Sequence, residues 1–425
     1  MLSKLTTYKK IVLKEVFFQI IEKVIRMSIG IVVIKQMADY LGPSLFGIYN
    51  FIESYYLILL GLSVFGLDIT LTKLLSRKKR IDLVIGNGMI LMLFFGIVFM
   101  LLSFVVIYLF FNNDKYSLLI VVSTILIINP IYVLDYYFIS KNQIRISSIF
   151  KVIAYVIKSF LIIYAITKEL SLLYFILIIL FEVILYSIMV SFYFFLNPIK
   201  IKHKIDKAFM KNILSSSSYV FLYSVGAIIY NRIDILMIER FLTNQDLGFY
   251  SASFKLISFF YFIPAILSQT FFPRIVELAK LKLNNSDSLS LMYRLNFFSA
   301  LIVFFGLIFF GEILINFLFG DAFSNSVLIL YILSFNIVFI SIGSIYSKVL
   351  YSNNLEKRLF IKVIFGILLN ILLNIILIEL YGVYGVAIST AIALFLVEIL
   401  YDFFDSKLIK FHVFKLKSIF LINKL

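Results

Sequence analysis

The residues best placed to do chemistry are charged side chains inside long apolar segments. In the first such segment Glu22, Arg26 and Gly30 follow one another at intervals of four residues, which puts them on one face of a helix. Lys23 flanks this face. Ionisable groups at bilayer depth are costly and turn towards a cavity or a partner. The pattern therefore favours a face that lines a water-filled cavity, and the alternative is a Glu22–Arg26 pair that is simply buried.

Other apolar segments contain charged residues as well. Arg232 and Asp234 point about 200° apart on a helix, so they are not partners on their own helix. A cationic interior suits an anionic cargo, because Arg binds phosphate oxygens in a bidentate way and Lys supplies a mobile point charge. For any single residue, a structural ion pair is the equal alternative. The interior cations are Lys23, Arg26, Lys158, Arg232 and Lys255, and the interior acids are Glu22, Glu53, Asp135, Glu182, Asp234 and Glu398.

Several kinds of chemistry are disfavoured by the composition. The chain has no Cys, which excludes disulfides, thiolate metal sites and a Cys nucleophile. Its two His residues, His203 and His412, do not have the spacing of a zinc site. We therefore expect no metal and no cofactor. The formal charge of +16 is better explained by membrane topology and anionic lipid than by nucleic acid, which we do not expect as a partner.

The elements that must position these residues are membrane-spanning helices. Apolar residues make up 62% of the 425 positions and charged residues 15%, whereas a soluble domain has about 25% charged residues. A span needs about 20 mainly apolar residues. The pattern predicts an all-α polytopic membrane protein with twelve spans, at about 12–38, 44–67, 83–111, 116–139, 149–167, 171–196, 213–241, 249–273, 295–319, 327–350, 359–379 and 384–405.

The loops and one repeated motif predict how these helices are arranged. Lys and Arg are concentrated in alternate loops, which places both termini in the cytoplasm. The stretch 41–49 and the stretch 242–250 both end in a Gly-x-Tyr triplet, about half a chain apart. Such repeats are common in transporters, and chance in an apolar sequence is the alternative. We predict two pseudo-symmetric six-helix bundles, 1–205 and 206–425, around a central cavity. We also expect Pro130 and Pro264 to interrupt helices four and eight.

Motifs spread over nearly the whole chain resemble those of a known family. The stretch that begins Arg232-Ile233-Asp234 and continues to Leu247-Gly248-Phe249-Tyr250 resembles helices seven and eight of the Wzx-type polysaccharide flippases. These flippases belong to the multidrug/oligosaccharidyl-lipid/polysaccharide (MOP) exporter superfamily. Further matches are Leu41-Gly42-Pro43, Phe46-Gly47-Ile48-Tyr49, Phe65-Gly66-Leu67-Asp68, Phe272-Pro273-Arg274, Phe319-Gly320-Asp321, Asn370 with Asn374, and Tyr381-Gly382-Val383-Tyr384-Gly385.

The resemblance implies a function as well as a MATE-like fold. It implies a flippase that moves an undecaprenyl-diphosphate-linked oligosaccharide, an O-antigen or capsule repeat unit, to the outer leaflet of the bacterial inner membrane by alternating access. In such proteins cavity cations hold the anionic cargo, and Arg232 matches the family's helix-seven motif. Partners implied in this way are the lipid-linked glycan, the bilayer and the polysaccharide polymerase machinery involved in lipopolysaccharide biosynthesis.

Coupling to Na⁺ or H⁺ is a further expectation. Glu22, Glu53 and Asp234 lie on polar stripes and are the carboxylates expected to couple an ion or form a gate. The rival functions are a drug/cation antiporter of the same superfamily, the flippase for the peptidoglycan precursor, and a membrane-embedded polymerase or ligase. We expect that the protein is not an enzyme, because no outer loop is long enough to carry catalytic residues.

Overall fold

Helices form all the regular structure in the described part of the chain, as the sequence predicts. The computed structural model describes residues 2–76, 80–110, 115–141, 143–198, 205–230, 232–283 and 286–419. Contacts divide the chain into two compact units. Unit 1 comprises Met1–Tyr40 and Ile48–Ile228, and unit 2 comprises Leu41–Gly47 and Ile229–Leu425. The predicted division at 205/206 stays a sequence prediction.

The described residues between Leu2 and Tyr230 form eight α-helices, most of whose length belongs to unit 1. Pro130 lies in a 3₁₀ segment, Thr124–Ile131, between α4 and α5, and it interrupts the predicted fourth helix because proline cannot donate a backbone hydrogen bond. The core of this unit is formed by apolar side chains of α2, α3 and α5, with Leu71, Ile85 and Phe138 fully buried. The helices are α1 Leu2–Val64, α2 Leu67–Ser76, α3 Ile81–Phe110, α4 Lys115–Ser123, α5 Tyr132–Ser140, α6 Ile144–Thr167, α7 Leu172–Leu196 and α8 Lys207–Tyr230.

The described residues between Ile233 and Ile419 form seven further α-helices in unit 2. The break between α10 and α11 falls at Tyr261, three residues before Pro264, where the proline removes a helical hydrogen bond. A second apolar core lies where α12, α13 and α15 meet, around Ile345, Tyr346 and Leu408. The helices are α9 Ile233–Phe241, α10 Asn244–Phe260, α11 Phe262–Lys280, α12 Asp287–Phe319, α13 Ser326–Ser352, α14 Glu356–Phe395 and α15 Ile409–Ile419.

Nine helical stretches of the described chain are long and apolar enough to cross a membrane. Two of them are kinked at a glycine with positive φ, at Gly42 (62°) in α1 and Gly382 (57°) in α14. Residues with a side chain rarely adopt this backbone conformation, so these glycines mark the bends between the predicted first and second and the predicted eleventh and twelfth spans. The count of twelve stays a prediction.

The predicted seventh helix is not continuous. The sequence predicts one helix over 213–241, but α8 ends at Tyr230 and α9 begins at Ile233. Apolar periodicity alone does not reveal such a break, because both pieces are apolar. Asn231, which the sequence places on the same face as Asp234, lies outside the described residues.

The outer surface of the spans is apolar. On α12, Ile302 and Phe309 are each 73% exposed. Soluble monomers avoid apolar patches of this kind, whereas lipid tails are a suitable environment for them. Because lipid offers no hydrophobic driving force between helices, close packing of small residues becomes important. In unit 2 a Cβ atom on Gly47 would lie 2.6 Å from the backbone nitrogen of Gly248, so the two Gly-x-Tyr motifs meet backbone to backbone.

Candidate functional site

A chain of alternating charges connects α1, α6 and α7 inside unit 1. The Glu182 carboxylate accepts a hydrogen bond from the Lys158 ammonium at 2.7 Å and one from the Arg26 guanidinium at 3.5 Å. Arg26 also pairs with Glu22 at 3.4 Å, and the Ser148 hydroxyl donates to Glu22 at 2.8 Å. We call these five residues the unit 1 charge cluster. Two cations face two carboxylates, so the cluster is balanced as it stands.

A tyrosine ring supports the two cations of this cluster. The Arg26 guanidinium lies 4.8 Å from the ring centroid of Tyr155, and the Lys158 ammonium lies 5.7 Å from the same ring. Both distances are within the range of cation–π attraction. A Cβ atom on Gly30 would stand 2.8 Å from the Tyr155 hydroxyl, so the glycine of the predicted stripe makes room for this ring.

The members of the cluster differ in exposure. The Arg26 side chain is 36% exposed, whereas those of Glu22, Lys158 and Glu182 are 13%, 12% and 18% exposed. The two guanidinium contacts are also longer than the lysine contact. Arg26 is therefore the group best able to exchange a carboxylate for the oxygens of an incoming anion, since its fork fits carboxylate and phosphate alike.

A second ion pair lies beside this cluster in unit 1. Lys151 donates to Asp135 at 2.8 Å, and the Ser147 hydroxyl also donates to Asp135. The hydroxyls of Tyr186 and Ser147 are 3.1 Å apart. Asp135 is buried and has these donors around it, which fits the structural ion pair that the sequence left as its alternative.

Unit 2 contains a different kind of centre, in which a buried carboxylate is surrounded by neutral donors. Asp234 is 4% exposed. One of its oxygens accepts hydrogen bonds from the hydroxyls of Tyr250 and Thr390, both at 2.7 Å. The other accepts one from the Asn374 amide at 2.9 Å. The same amide donates to the side-chain oxygen of Asn370 at 3.1 Å. We call these five residues the Asp234 centre.

The helix kink at Gly382 allows α14 to contribute to this centre twice. Asn370 and Asn374 precede the kink, and Thr390 follows it. Among the described residues, the Asn374 side-chain oxygen is buried without a hydrogen-bond partner. A carboxylate together with amide and hydroxyl oxygens is a donor set for a hard cation, and a proton can also neutralise the carboxylate. The arrangement can therefore take up positive charge without first breaking an ion pair in the described contacts.

The other predicted site residues lie in varied settings. Lys23 is exposed on α1, and Glu53 is half-buried and acts electrostatically on Lys158. In unit 2 the Arg232 guanidinium lies 5.5 Å from the ring of Phe254, and the Lys255 ammonium lies 5.7 Å from that of Phe46. The structure thus brings Arg26 and Lys158 together on Glu182 and leaves Arg232 and Lys255 in the other unit.

Sequence reasoning did not find three neutral members of these sites, Ser148, Tyr155 and Thr390. Tyr155 and Ser148 lie on α6, whereas Tyr250, Asn370 and Asn374 were noted only as parts of motifs. Tyrosine and serine are common in apolar helices, so composition does not single them out. The position of Lys158 could have indicated Ser148 and Tyr155, because these residues stand ten and three positions before it and so lie near its face of the helix.

In the part of the chain that the structure describes, the regular structure is helical, nine stretches are long and apolar enough to span a membrane, and charged side chains are buried between them. These features define a multi-pass membrane protein. The chain resembles a lipid II flippase, MurJ, in an inward closed conformation, with a TM-score of 0.75 and 18% identity over 96% of this chain and 92% of that one. It also resembles an inward-facing multidrug resistance MATE family transporter of the MOP superfamily, with a TM-score of 0.72 and 14% identity over 94% of this chain and 99% of that one. Likeness at this level of identity establishes the fold, which is that of MurJ and MATE proteins.

Comparison at the sequence level identifies the family. Residues 12–279, more than half of the chain, match the family described as polysaccharide biosynthesis protein. The chain belongs to this family. A curated relative is a probable low-salt glycan biosynthesis flippase, Agl15, of Haloferax volcanii, 23% identical over 205 residues. That match spans 46% of this chain and 42% of the relative.

Proposed function

We propose that the protein is a flippase that carries an undecaprenyl-diphosphate-linked oligosaccharide, such as an O-antigen or capsule repeat unit, from the inner to the outer leaflet of the cytoplasmic membrane. Family membership and the glycan flippase relative support a lipid-linked glycan as cargo. The fold of MurJ and MATE proteins supports transport by alternating access.

The observation that carries this proposal is the setting of Arg26. Its side chain is partly exposed, and its guanidinium lies over the Tyr155 ring and contacts Glu22 and Glu182 at 3.4 and 3.5 Å. A diphosphate offers the same bidentate oxygen geometry with more negative charge, so it can replace one carboxylate without leaving Arg26 unpaired. Lys158 remains on Glu182 at 2.7 Å and keeps that carboxylate neutralised during the exchange.

Ion coupling is the second part of the proposal. Inward movement of Na⁺ or H⁺ to the Asp234 centre drives the empty carrier back to the state that faces the cytoplasm. Asp234 is the best candidate of the three predicted acids, because the donors it contacts, Tyr250, Thr390 and Asn374, are all neutral. Glu22 already serves Arg26, and its part is that of a gate whose partner changes when cargo binds. Glu53 acts beside Lys158 in the same role.

The location and partners complete the proposal. Both termini lie in the cytoplasm, since Lys and Arg are concentrated in the loops of that side. The cargo leaves the protein on the outer leaflet, where a polysaccharide polymerase consumes it. Association with that machinery follows from the chemistry of the product.

The proposal is tested in cells from which the gene has been deleted. Undecaprenyl-diphosphate-linked glycan should accumulate on the inner leaflet and surface glycan should disappear, because flipping is blocked. The wild-type gene should restore export, Arg26→Ala should not, and Arg26→Lys should restore it in part, because it returns the charge without the planar fork.

Lys168→Ala, at an exposed turn after α6, is the matched control and should restore export fully. Protein abundance is measured by immunoblot for every variant. Normal export by Arg26→Ala at wild-type abundance would contradict the role of Arg26. Normal surface glycan in the deletion strain would contradict the cargo.

A further inference from the structure

A separate cluster of charges lies outside both candidate sites, where α15 packs against α14 and the turns that follow it. Lys362 of α14 donates to Glu398 at 3.0 Å and to Asp402 at 3.1 Å. Lys415 of α15 donates to Asp402 at 3.3 Å and to the backbone oxygen of Glu398 at 2.7 Å. The ring nitrogen Nδ1 of His412 lies 3.1 Å from the same Asp402 oxygen. We call these five residues the C-terminal charge cluster.

The cluster is buried to a degree that charged residues rarely reach. The side chains of Asp402, His412 and Lys415 are fully buried, and that of Lys362 is 2% exposed. Glu398 lies in a π-helical turn, Leu396–Leu400, that ends α14. Such turns widen a helix and are frequent at functional positions. The turn places Glu398 and Asp402 on the side facing α15. It therefore forms the surface against which that helix packs, which we call its seat.

The hydrogen-bond donors of the cluster are unevenly distributed over its acceptors. Three donors converge on one Asp402 oxygen, whereas its other oxygen has no hydrogen-bond partner in the described part of the chain. The ring nitrogen Nε2 of His412 is likewise buried without a partner among the described residues. With a neutral histidine, two lysines balance two carboxylates. One more proton would give the cluster a net positive charge in a site closed to water.

We propose that the C-terminal charge cluster is a proton-binding site that controls the docking of α15, and that protonation of His412 releases this helix from its seat. The inference concerns α15 alone and does not depend on which cargo the protein carries. The ligand is a proton, and the part that responds is the helix Ile409–Ile419 with its apolar contacts to α12 and α13.

The pKa values of His412 and Lys415 are both lowered, which supports the proposal. Burial lowers the pKa of His412 below its ordinary value of 6.5, and the neighbouring Lys415 and Lys362 add to the effect against the opposing pull of Asp402. Burial and Lys362 lower the pKa of Lys415 from 10.5 to about 8. Both groups therefore bind protons more weakly when docked than when exposed. Docking is strengthened as pH rises and weakened as pH falls, and for His412 the loss begins as pH drops through 6.5.

Among the residues that the structure describes, the other groups around His412 do not provide an alternative acceptor. The Phe403 ring lies 4.4 Å from the histidine ring and offers only its edge or face. The Tyr346 ring lies beneath Lys362 and Lys415, at 4.9 and 4.1 Å. Other ionisable groups lie around the cluster. Tyr293 of α12 interacts electrostatically with Asp402 and Glu398, Tyr401 with Asp402, and Tyr230 with Glu398. The ion pair Arg358–Asp405 is closed at 2.8 Å, and Arg294 of α12 donates to the backbone oxygen of Ser418 on α15 at 2.9 Å.

The test uses the absence of cysteine from the natural chain. One full-length variant has Ser418→Cys, a fully buried position on α15, and another has Lys410→Cys, an exposed position on the same helix. Each is labelled in detergent with a methanethiosulfonate reagent at pH 7.5 and 5.5. The ratio of the Ser418→Cys rate to the Lys410→Cys rate cancels the pH dependence of the thiol itself.

The ratio should rise on acidification by up to about tenfold, which corresponds to one unit of pH below 6.5 for a single group. Adding His412→Gln should remove most of the rise, because the amide cannot titrate and Lys415, with a pKa of about 8, changes its protonation only slightly between pH 7.5 and 5.5. Lys417→Gln, on the exposed side of α15, is the matched control and should leave the response unchanged. An unchanging ratio in the natural sequence, or an undiminished rise with His412→Gln, would overturn the proposal. Neither result would bear on the proposed flippase activity.

Discussion

At the residue scale, the question left by Lys158 is whether it holds the fold or the cargo. Its ion pair with Glu182 closes at 2.7 Å, and both side chains are largely buried. Breaking a buried pair by removing one partner costs about 3–5 kcal/mol, whereas replacing both with apolar residues is often neutral. The two roles therefore predict different behaviour for single and double variants.

We expect Lys158→Met to lower the melting temperature of the purified protein, because Glu182 loses its closest cation. The double variant Lys158→Met/Glu182→Leu should recover stability but still export little glycan, because Arg26 then loses the Glu182 carboxylate that helps to position it for the cargo. Differential scanning fluorimetry in detergent and the surface glycan assay give the two readings. Full export by a stable double variant would assign the pair a purely structural role.

Asp234 supports a second prediction at this scale. Asp234→Asn keeps the size of the side chain but places an amide against the Tyr250 and Thr390 hydroxyls, whose donors lose their charged acceptor. Transport in vesicles should therefore lose its response to imposed Na⁺ and pH gradients. Asp135→Asn, in the structural ion pair of unit 1, is the control and should keep that response. An equal gradient response in Asp234→Asn and the natural protein would rule out coupling at this residue.

The sequence singles out the charged members of these sites for a physical reason. A charge in an apolar segment is costly unless it has a partner, so Arg26, Lys158 and Asp234 stand out against their neighbours. Their neutral partners do not stand out, because Tyr155 and Thr390 carry no comparable cost. The pairing itself also depends on which helices become neighbours, and periodicity along one helix does not contain that information.

At the element scale, kinks and close approaches shape the helices. The proline breaks were predictable, since Pro130 and Pro264 each remove a backbone donor. The break between α8 and α9 was not, because no proline or glycine marks it. The two Gly-x-Tyr motifs are visible in the sequence, but the contact between Gly47 and Gly248 appears only in three dimensions.

This contact supports a third prediction. A methyl group at Gly248 would overlap the backbone oxygen of Pro43, and rigid backbone cannot move aside as a flexible side chain does. Gly248→Ala should therefore lower thermal stability and export together. Gly306→Ala on α12 is the matched control, since a Cβ atom there meets nothing within 4 Å. That change should stabilise the helix by roughly 0.5–1 kcal/mol. Equal melting temperatures for the two variants would contradict the close packing of the motifs.

At the scale of the whole molecule, topology follows from the distribution of basic residues. We expect a Cys introduced at Asn325, in the exposed turn before α13, to react with an impermeant maleimide in intact cells. A Cys at Lys357, exposed at the start of α14, should react only after the membrane is opened. The reverse pattern would invert the orientation and move α15 to the outside.

The central claim is most directly tested with purified protein in sealed vesicles. Undecaprenyl-diphosphate-linked oligosaccharide is placed in both leaflets, and a glycosidase added outside digests only outer-leaflet glycan. The natural protein should make nearly the whole pool accessible, whereas Arg26→Ala vesicles should stop near the half that starts outside. If digestion stopped at this half with the natural protein, as it does in protein-free vesicles, and did so under every imposed gradient, the result would contradict the flippase function.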